Sequence, residues 1–416
     1  SIMPGLITER NFPTSWTIKR FKYCAQICNG GEYSDIEVEE GGYPVIGSGG
    51  EFARASKFSY CGKSVLLGRK GTVDKPLFVD GAFWCVDTMF YTKIKDFMYE
   101  KYLYYCALCF PFDYYVTSTA LPSMTQRDLG SQEIAVPPKK EQNAIADFLD
   151  KECAKIDSIA ADLEKQVTLL QQYKKSLITE TVTKGLDKSV PMKDSGIEWI
   201  GKIPAHWDFK RLKFMLENSS DSMKVGPFGS ALSGSDFTDE GKWVYNQRVV
   251  LDNNFSENTT FVSEEKYQEM RSFAVYPGDI LITTRGTIGK VAIVPEGANE
   301  GILHPCIIKF RVDKEMIIPE LLQLIFNESD FVKDQFALMS NATTIEVIYS
   351  YSLRDILLPV IPADEQEKIY AYLSKKCMAI DGIIAEKQKA FTTITQHKKS
   401  LIYEYVTGKK RVKEVQ

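Results

Sequence analysis

Apolar residues recur with a period of 3.5 along two long stretches of the chain. Their steps alternate between four and three residues, a pattern typical of helices that wind around one another. The first stripe consists of Leu149, Cys153, Ile156, Ala160, Leu163, Val167 and Leu170. The second consists of Leu373, Cys377, Ile380, Ile384, Phe391, Ile394 and Leu401, with Lys387 where the first has Leu163. No proline or glycine interrupts Lys139 to Lys184, so the sequence predicts one long helix that ends near Gly185.

The two stretches are copies of each other. Residues 138–183 and 362–407 align without a gap and are identical at 22 of 46 positions. A shorter motif, W-x-x-K-R-x-K, begins at Trp16 and again at Trp207. The period of 224 residues is far longer than the unit of a solenoid, which is roughly 20–50 residues. The chain is therefore a duplication, with the order variable, constant, variable, constant.

The two variable stretches have the pattern of mixed α and β structure. Short β-branched and aromatic runs between glycine turns indicate strands, and an amphipathic segment after them indicates a helix. In the first stretch we predict strands at 43–46, 64–67 and 83–91 and a helix at 97–109; in the second, strands at 243–245, 279–283 and 307–312 and a helix at 319–336. The order of elements is shared although little sequence is.

Composition narrows the class of protein. The chain has 416 residues, of which 44% are hydrophobic and 25% charged, as in ordinary globular proteins. It has no apolar run of roughly 20 residues that would span a membrane and no signal peptide at its start, so we expect a cytoplasmic protein. Its nine cysteines lack the spacing of a disulfide framework, which favours reduced thiols.

Catalytic and cofactor motifs are missing from the sequence. Cys24, Cys28, Cys106 and Cys109 are conceivable zinc ligands, but the last two lie in the apolar run YLYYCALCF, which favours core packing. There is no GxGxxG loop, and Lys57 stands where a Walker A motif needs glycine. No Asn/Asp-Pro-Pro-aromatic element is present. We therefore predict no catalytic residue, no metal and no cofactor.

Three segments resemble a known family: GIEWIGKIPAHWDFKRLK, GDILITTRGTIGK and the paired P-x-x-EQ…KKSLI helices. The chain resembles the specificity subunit of a type I restriction–modification system. The resemblance implies an α+β protein, with two mixed α/β target-recognition domains separated by two long antiparallel coiled-coil helices under pseudo-twofold symmetry. It implies target-recognition domains at 1–137 and 188–361 and spacer helices at 138–187 and 362–416, the second with a C-terminal tail. The implied partners are double-stranded DNA, methyltransferase subunits, two in number, and restriction–translocase subunits, without membrane association.

Neither variable stretch is basic overall, and the net charge of the chain is −4. Phosphate contacts would therefore depend on local clusters of basic residues, beside glycine turns and polar side chains that can approach a groove. Lys70 and Arg285 are the best-matched pair, since each follows a strand and precedes Gly-Thr. The predicted DNA-binding residues of the first stretch are Tyr43, Ser48, Gly49, Lys57, Arg69, Lys70, Thr72 and Thr119. Those of the second are Lys224, Phe228, Ser230, Asn246, Arg248, Arg285, Thr287, Lys290, Thr343 and Thr344.

Partner subunits are predicted to dock near the repeated KKSLI ends of the helices. Tyr173, Ile178, Ile402 and Tyr403 are the side chains proposed for this contact. Two other hypotheses remain open from sequence. One is a fused methyltransferase or nuclease, which would need catalytic motifs; the other is a coiled-coil scaffold without a DNA role, in which the stripes serve packing alone.

Overall fold

The structure, a computed structural model, describes residues 13–115, 122–228, 231–340 and 347–412. The chain divides into two compact units: unit 1 comprises residues 1–165 and 387–416, and unit 2 comprises residues 166–386. Each unit therefore contains one variable stretch and one half of each long helix. This division differs from the predicted four-part order, in which each helix stands as a segment of its own.

Unit 1 contains a six-stranded sheet and a separate strand pair. Its strands are β1 Thr17–Arg20, β2 Ala25–Asn29, β3 Tyr43–Gly47, β4 Gly50–Ala55, β5 Tyr60–Gly68, β6 Leu77–Cys85, β7 Met89–Ile94 and β8 Glu133–Val136. Its helices are α1 Phe21–Cys24, α2 Glu100–Ala107, α3 Phe112–Tyr115, α4 Gln126–Ser131 and the first part of α5 Lys139–Lys184. The large sheet has the order β2-β7-β5-β6-β3-β4, and β1 pairs with β8. Only β3 and β6 run parallel among these described pairs.

Unit 2 contains a four-stranded and a five-stranded sheet. Its strands are β9 Met192–Asp194, β10 Lys202–Pro204, β11 Asp208–Arg211, β12 Met223–Val225, β13 Phe237–Thr238, β14 Lys242–Tyr245, β15 Phe261–Val262, β16 Ala274–Val275, β17 Ile280–Thr283, β18 Val291–Ile293, β19 Gly301–Leu303, β20 Ile307–Phe310 and β21 Leu357–Val360. Its helices are α6 Gln247–Asp252, α7 Glu264–Glu269, α8 Pro319–Glu328, α9 Phe331–Ser340, α10 Ser350–Arg354 and the first part of α11 Ala363–Val406. The sheet orders are β12-β20-β17-β18 and β13-β15-β14-β19-β16, with β14 parallel to β19. β11 pairs with β21, and β9 with β10.

The two long helices confirm the prediction from the heptad pattern. Within unit 1, Asp157 of α5 accepts from Lys398 of α11 at 2.7 Å; within unit 2, the equivalent Lys174 and Asp381 are also 2.7 Å apart. Both pairs join an early residue of one helix to a late residue of the other, so the helices run antiparallel within each unit. The mixed α/β class is likewise as predicted.

Each unit anchors the tryptophan that precedes one of its strands, β1 in unit 1 and β11 in unit 2, to a long helix in the same way. The indole Nε1 of Trp16 donates to Glu141 at 3.1 Å, and that of Trp207 donates to Glu365 at 3.1 Å. Directly after each glutamate, a buried glutamine closes the loop before the helix. Gln142 donates to the carbonyls of Phe97 and Pro137 and accepts from Tyr99 N; Gln366 donates to those of Met316 and Ile361 and accepts from Ile318 N.

Two predicted elements of the variable stretches are wrong in their extent. The strand predicted at 83–91 is two strands, β6 and β7, because Met89 N donates to Val86 O at 3.0 Å and closes a turn between them. The helix predicted at 319–336 is broken into α8 and α9. Ser329 has extended backbone, and its hydroxyl donates to Ile325 O at 2.6 Å and accepts from Phe331 N at 3.3 Å, which ends one helix and begins the next.

Candidate nucleic-acid interface

Five loops of unit 2 meet at one edge of its sheets. β14 and β19 are parallel and end at Tyr245 and Leu303, so the residues that follow them emerge together. His304 N donates to Tyr245 O at 3.1 Å and fixes this arrangement. We call these loops the loop surface of unit 2; they comprise residues 226–228, 246–248, 284–287, 304–306 and 347–349.

Backbone hydrogen bonds hold these loops against one another. Gly226 N donates to Ile307 O at 2.9 Å, and Thr284 N donates to Cys306 O at 3.1 Å. The hydroxyl of Thr284 donates to the same carbonyl at 2.9 Å. Ile348 N donates to Thr284 O at 2.9 Å. The loop surface is therefore positioned by main-chain contacts, which leaves its outward side chains free to vary.

Unit 1 builds an equivalent surface with the same contacts. β3 and β6 are parallel, as β14 and β19 are. Gly30 N donates to Met89 O at 3.1 Å, Arg69 N to Thr88 O at 2.9 Å, and Met124 N to Arg69 O at 2.9 Å. These three bonds correspond one by one to those of Gly226, Thr284 and Ile348. The loop surface of unit 1 comprises residues 30–32, 47–50, 69–72, 86–88 and 123–124.

A glycine sits at the tightest point of each loop surface. A Cβ on Gly30 would lie 1.8 Å from Val86 O, and a Cβ on Gly226 would lie 2.2 Å from His304 O. Either contact is far inside van der Waals distance, so only glycine fits. This pair was not predicted from the sequence, because the flanking residues share no motif and only the strand register aligns them.

Lys70 and Arg285 occupy the same turn in their two units. Each is followed by a glycine with left-handed backbone, Gly71 at φ 79° and Gly286 at φ 65°. Each forms an isolated antiparallel bridge, Lys70 with Ser123 and Arg285 with Val347. Both basic side chains are exposed, as are Thr72 and Thr287. Their matched position in the loop surfaces agrees with the sequence alignment, and their contact with DNA stays a prediction.

The other predicted residues of unit 1 lie on or near its loop surface. Gly49 and Lys57 are exposed, and Ser48 is half-buried in the turn between β3 and β4. Tyr43 packs edge to face on Phe58, with ring centroids 4.9 Å apart. The Arg69 guanidinium donates to Asp87 O at 3.2 Å, which orients it along the loop.

In unit 2, Phe228 is highly exposed. Its side chain is 83% accessible, and the residue lies two positions after Gly226. Lys224, on β12, places its ammonium group 5.1 Å from the centroid of the Phe273 ring. Arg248 lies on the loop surface and is paired with Asp252 at 3.4 Å, a contact between two exposed groups.

Two predicted DNA-binding residues of unit 2 are engaged inside the chain. Asn246 is the N-cap of α6: its side-chain oxygen accepts from Arg248 N and Val249 N, and its amide donates to Thr260 Oγ1 at 2.9 Å. Lys290 donates to Asn327 O at 2.5 Å, and burial lowers the pKa of its ammonium group. Both contacts would have to break before the Asn246 amide could read a base or the Lys290 ammonium group could bind a phosphate, and the roles predicted for these two residues stay predictions.

Four further predicted residues, Thr119, Ser230, Thr343 and Thr344, lie outside the described residues.

The sequence did not predict a pair of tyrosines that lies beside the Arg285 turn. Tyr349 and Tyr351 are 53% and 66% exposed, and their rings stack 5.4 Å apart at 8°. No motif marks them, because the stacking arises from the short helix α10 that begins between them.

The predicted partner-binding residues divide into two groups. Ile178 is fully buried in the core of unit 2 and Ile402 is 4% exposed in the core of unit 1, so the prediction that these two side chains face a partner is wrong. Ile178 of α5 faces the core of unit 2, and Ile402 of α11 faces the core of unit 1. Tyr173 is 56% exposed, and Tyr403 is half-buried with the Lys409 ammonium 5.1 Å from its ring.

The loop surface of unit 1 carries charges of both signs, Glu32, Arg69, Lys70 and Asp87, whereas that of unit 2 carries Arg248 and Arg285. Burial lowers the pKa of His304, whose ring stacks on Phe237. Across the four described ranges, no group of three or more His, Cys, Asp or Glu side chains is arranged to hold a metal ion. In the same ranges, no helix combines the length and apolar character that crossing a membrane requires.

Two mixed α/β domains, each followed by a copy of the same long helix, define the class of protein. Residues 13–169 and 224–400 match the family described as the type I restriction modification DNA specificity domain. The chain belongs to this family, which confirms the resemblance seen in the sequence.

Similar proteins come from archaea and bacteria. The chain is 25% identical over 302 residues to the type I restriction enzyme MjaVIII specificity subunit of Methanocaldococcus jannaschii, and the match spans 71% of this chain and 66% of that protein, just under two thirds of its length. It is 22% identical over 351 residues to the EcoBI specificity subunit of Escherichia coli, covering 79% and 72%. A solved chain from work on complex assembly and conformational transition of the type I R-M system shares the fold, with a TM-score of 0.68, 13% identity, and coverage of 96% of this chain and 100% of that one.

Proposed function

We propose that this chain is the non-catalytic, DNA-reading subunit of a cytoplasmic type I restriction–modification complex. Each loop surface reads one half of a bipartite DNA site. The observation that carries the proposal is that the same main-chain frame is built twice and displays different side chains. A frame held by backbone contacts tolerates exchange of the side chains that contact base edges.

The site is asymmetric because the two loop surfaces differ in their side chains. Unit 1 offers a glycine-rich turn, Ser48-Gly49-Gly50, where unit 2 offers Gln247 and Arg248 at the start of α6. Lys70 and Arg285, at equivalent positions, contact phosphate through the same turn. The two sets of side chains cannot present one pattern of donors and acceptors, so the half-sites differ in sequence.

Methyl transfer and cleavage belong to partner subunits. The proposed partners are adenine methyltransferase subunits, one for each unit, and restriction–translocase subunits. Apolar side chains that stay exposed at repeated positions support docking on the helices: Ile159 is 49% exposed in unit 1 and its counterpart Ile383 is 43% exposed in unit 2. These two replace Ile178 and Ile402 as the predicted contacts, and Tyr173 remains.

Docking is tested by charge substitution at the exposed isoleucines. Ile159→Asp with Ile383→Asp is expected to abolish co-purification of the methyltransferase subunit while the circular dichroism of the chain is unchanged. Ile178→Asp serves as the contrasting control, since it places a carboxylate in the core and should unfold unit 2. Co-purification in unchanged ratio would remove the helices' exposed face from the proposal.

The DNA-reading function is tested by mapping methylated adenines in cells. With the methyltransferase subunit present, adding this chain should produce methylation at one split sequence motif, and omitting it should remove that motif. The purified chain alone, with S-adenosylmethionine and DNA, should transfer no methyl group above background. Methylation by a preparation free of partner subunits would instead favour the fused-enzyme hypothesis, and an unchanged methylation map would favour the scaffold hypothesis.

A further inference from the structure

The repeated motif W-x-x-K-R-x-K takes no part in either loop surface. Its tryptophan is buried in each unit, but the basic residues and the aromatic residue after them point outward. We call them the basic patches. The patch of unit 1 consists of Lys19, Arg20, Lys22 and Tyr23, and that of unit 2 consists of Lys210, Arg211, Lys213 and Phe214; all eight are exposed.

The same cation–ring contact occurs in both patches. The Lys22 ammonium lies 5.0 Å from the centroid of Tyr23, and that of Lys213 lies 5.3 Å from the centroid of Phe214. The rings are 60% and 65% exposed. An aromatic ring beneath a lysine keeps the ammonium group at a fixed place on the surface, where it remains accessible to an anion.

Each basic patch adjoins the loop surface of its own unit through one short helix. In unit 2, Ile348 bonds to Thr284 of the loop surface, α10 follows, and Asp355 directly after it contacts Lys213 at 3.0 Å. In unit 1, Met124 bonds to Arg69, α4 follows, and Gly130 of this helix packs on Lys22. A helix of five or six residues is about 8–9 Å long, which corresponds to about two or three base pairs of DNA at 3.4 Å each.

We propose that each basic patch binds the DNA phosphate backbone that flanks the half-site held by the adjoining loop surface. The inference rests on the proposed DNA-reading function and adds a second, sequence-independent contact to each half-site. Exposed Lys and Arg side chains that neutralise phosphates release counterions, so they add to the salt dependence of binding without adding base preference.

The two patches differ in strength. In unit 2, Asp355 is 3.4 Å from Arg211 and 3.0 Å from Lys213 and offsets part of their charge. The equivalent position in unit 1 is Ser131, since Phe21 N bonds to Gln132 O as Leu212 N bonds to Ile356 O. Among the described residues, no carboxylate forms an ion pair with Lys19, Arg20 or Lys22, although Glu133 stands opposite Arg20 in the β1–β8 pair. The patch of unit 1 therefore contributes more to binding.

The test measures the salt dependence of binding by the assembled methyltransferase complex. Two duplexes carry the site found by methylation mapping: one extends well beyond the site on both sides, and the other is trimmed to it. On the long duplex, Arg20→Gln with Lys22→Gln should lower the slope of log affinity against log salt by about two, at about 0.9 for each phosphate that is no longer neutralised. On the trimmed duplex, the variant and the unmodified chain should bind alike.

A second variant tests the opposite direction. Asp355→Ser gives unit 2 the residue of unit 1, and it should raise affinity and salt slope on the long duplex only. Lys155→Gln removes an exposed lysine outside the patches and controls for net charge. The methylated sequence should be the same for all of these variants.

Three results would overturn the inference. If the salt slope of the Arg20/Lys22 variant on the long duplex were unchanged, the inferred contact with flanking phosphates would be wrong. The proposed function would still hold in that case, as long as the unmodified complex binds the mapped site. A changed methylated sequence would make the patch a base reader. Loss of the methyltransferase subunit from the variant complex would make it a protein-binding surface. Failure of the unmodified complex to bind the mapped site would be a failure of the proposed function itself.

Discussion

Unit 1 and unit 2 share their internal anchors and differ in how those anchors are supported. Both tether a buried tryptophan to a glutamate at the start of a long helix. In unit 1, Glu141 also pairs with Arg411 at 2.8 Å and its side chain is 6% exposed; in unit 2, Glu365 pairs with His206 at 2.7 Å and is 32% exposed. The frame thus tolerates different neighbours as long as the tryptophan keeps its acceptor.

The sheets show the same contrast. Lys309 of β20 is buried in unit 2, where it lies 2.8 Å from Ala274 O and 3.4 Å from Asp279. The position equivalent by strand register in unit 1 is Tyr91, whose ring stacks on Tyr60. An ion pair and an aromatic cluster fill the same place in one backbone. The difference teaches that the duplicated feature is the main-chain frame, and that even an inward side chain of the sheet has diverged around it.

The largest expected effect comes from exchanging a whole variable stretch. Replacing residues 23–137 with the corresponding stretch of another specificity subunit should change one half of the methylated site completely and leave the other half unchanged. The physical reason is that each loop surface is positioned by contacts within its own unit. Methylation mapping gives the result directly, and a change in both halves would break the comparison of two independent readers.

The next effect concerns the proposed role of the helices as a spacer. Adding one heptad to α5 after Lys165, and one to α11 after Glu386, preserves the apolar stripe and extends each helix by about 10 Å. The unread gap between half-sites should grow by about three base pairs, with both half-site sequences retained. The insertions avoid the C-terminal end of α5, where Thr181, Val182 and Thr183 are buried. A variant that methylates with the original gap would argue that the helices serve packing alone.

A single methyl group added at Gly30 should disrupt the loop surface of unit 1. Gly30→Ala forces a Cβ against Val86 O, and the overpacking should cost about 2–3 kcal/mol, enough to displace the loops of unit 1. Hydrogen exchange of β2 and β7 should accelerate, and the unit 1 half of the methylated site should be lost. Gly234→Ala, outside both loop surfaces, is the control, since a Cβ there meets nothing within 4 Å and its backbone is not left-handed.

The two tryptophan anchors should respond unequally to loss of the glutamate. Glu141→Ala leaves both the indole N–H and the Arg411 guanidinium without their acceptor, and we expect about 3 kcal/mol of destabilisation of unit 1. Glu365→Ala should cost unit 2 about 1 kcal/mol, because the site is more exposed to water. Urea unfolding, monitored by the hydrogen exchange of amides in each unit, gives the loss of stability of unit 1 and that of unit 2 separately. Equal losses would show that Arg411 adds nothing to the anchor.

The smallest effect is expected at the matched basic turns. Arg285→Ala and Lys70→Ala should each lower the salt slope of DNA binding by about 0.9 without altering the methylated sequence. Lys188→Ala, at an exposed lysine paired with Glu180, is the charge control. A changed base preference in either variant would identify that residue as a direct reader and distinguish the two turns.

The sequence predicted the long helices well because a heptad stripe without proline or glycine has few alternative structures. It predicted the Lys70 and Arg285 turns because their local sequences still match. It missed the turn between β6 and β7, because Phe83 to Tyr91 is rich in β-forming residues apart from Asp87, and a single aspartate does not by itself mark the end of a strand. The need for glycine at positions 30 and 226, and the role of Asn246 as a helix cap, depend on contacts between distant segments, which a local sequence pattern does not predict.

Unit 1 is assembled from the two ends of the described chain, and this affects the order of folding. Unit 2 is contiguous in sequence, whereas unit 1 needs residues 387–412, including Arg411 and the Val406 carbonyl that accepts from Tyr102 at 3.1 Å. Synthesis from the N-terminus produces the first domain long before the segment that completes its core. During synthesis, unit 1 is therefore begun before unit 2 but completed after it, when residues 387–412 pack onto the core of unit 1.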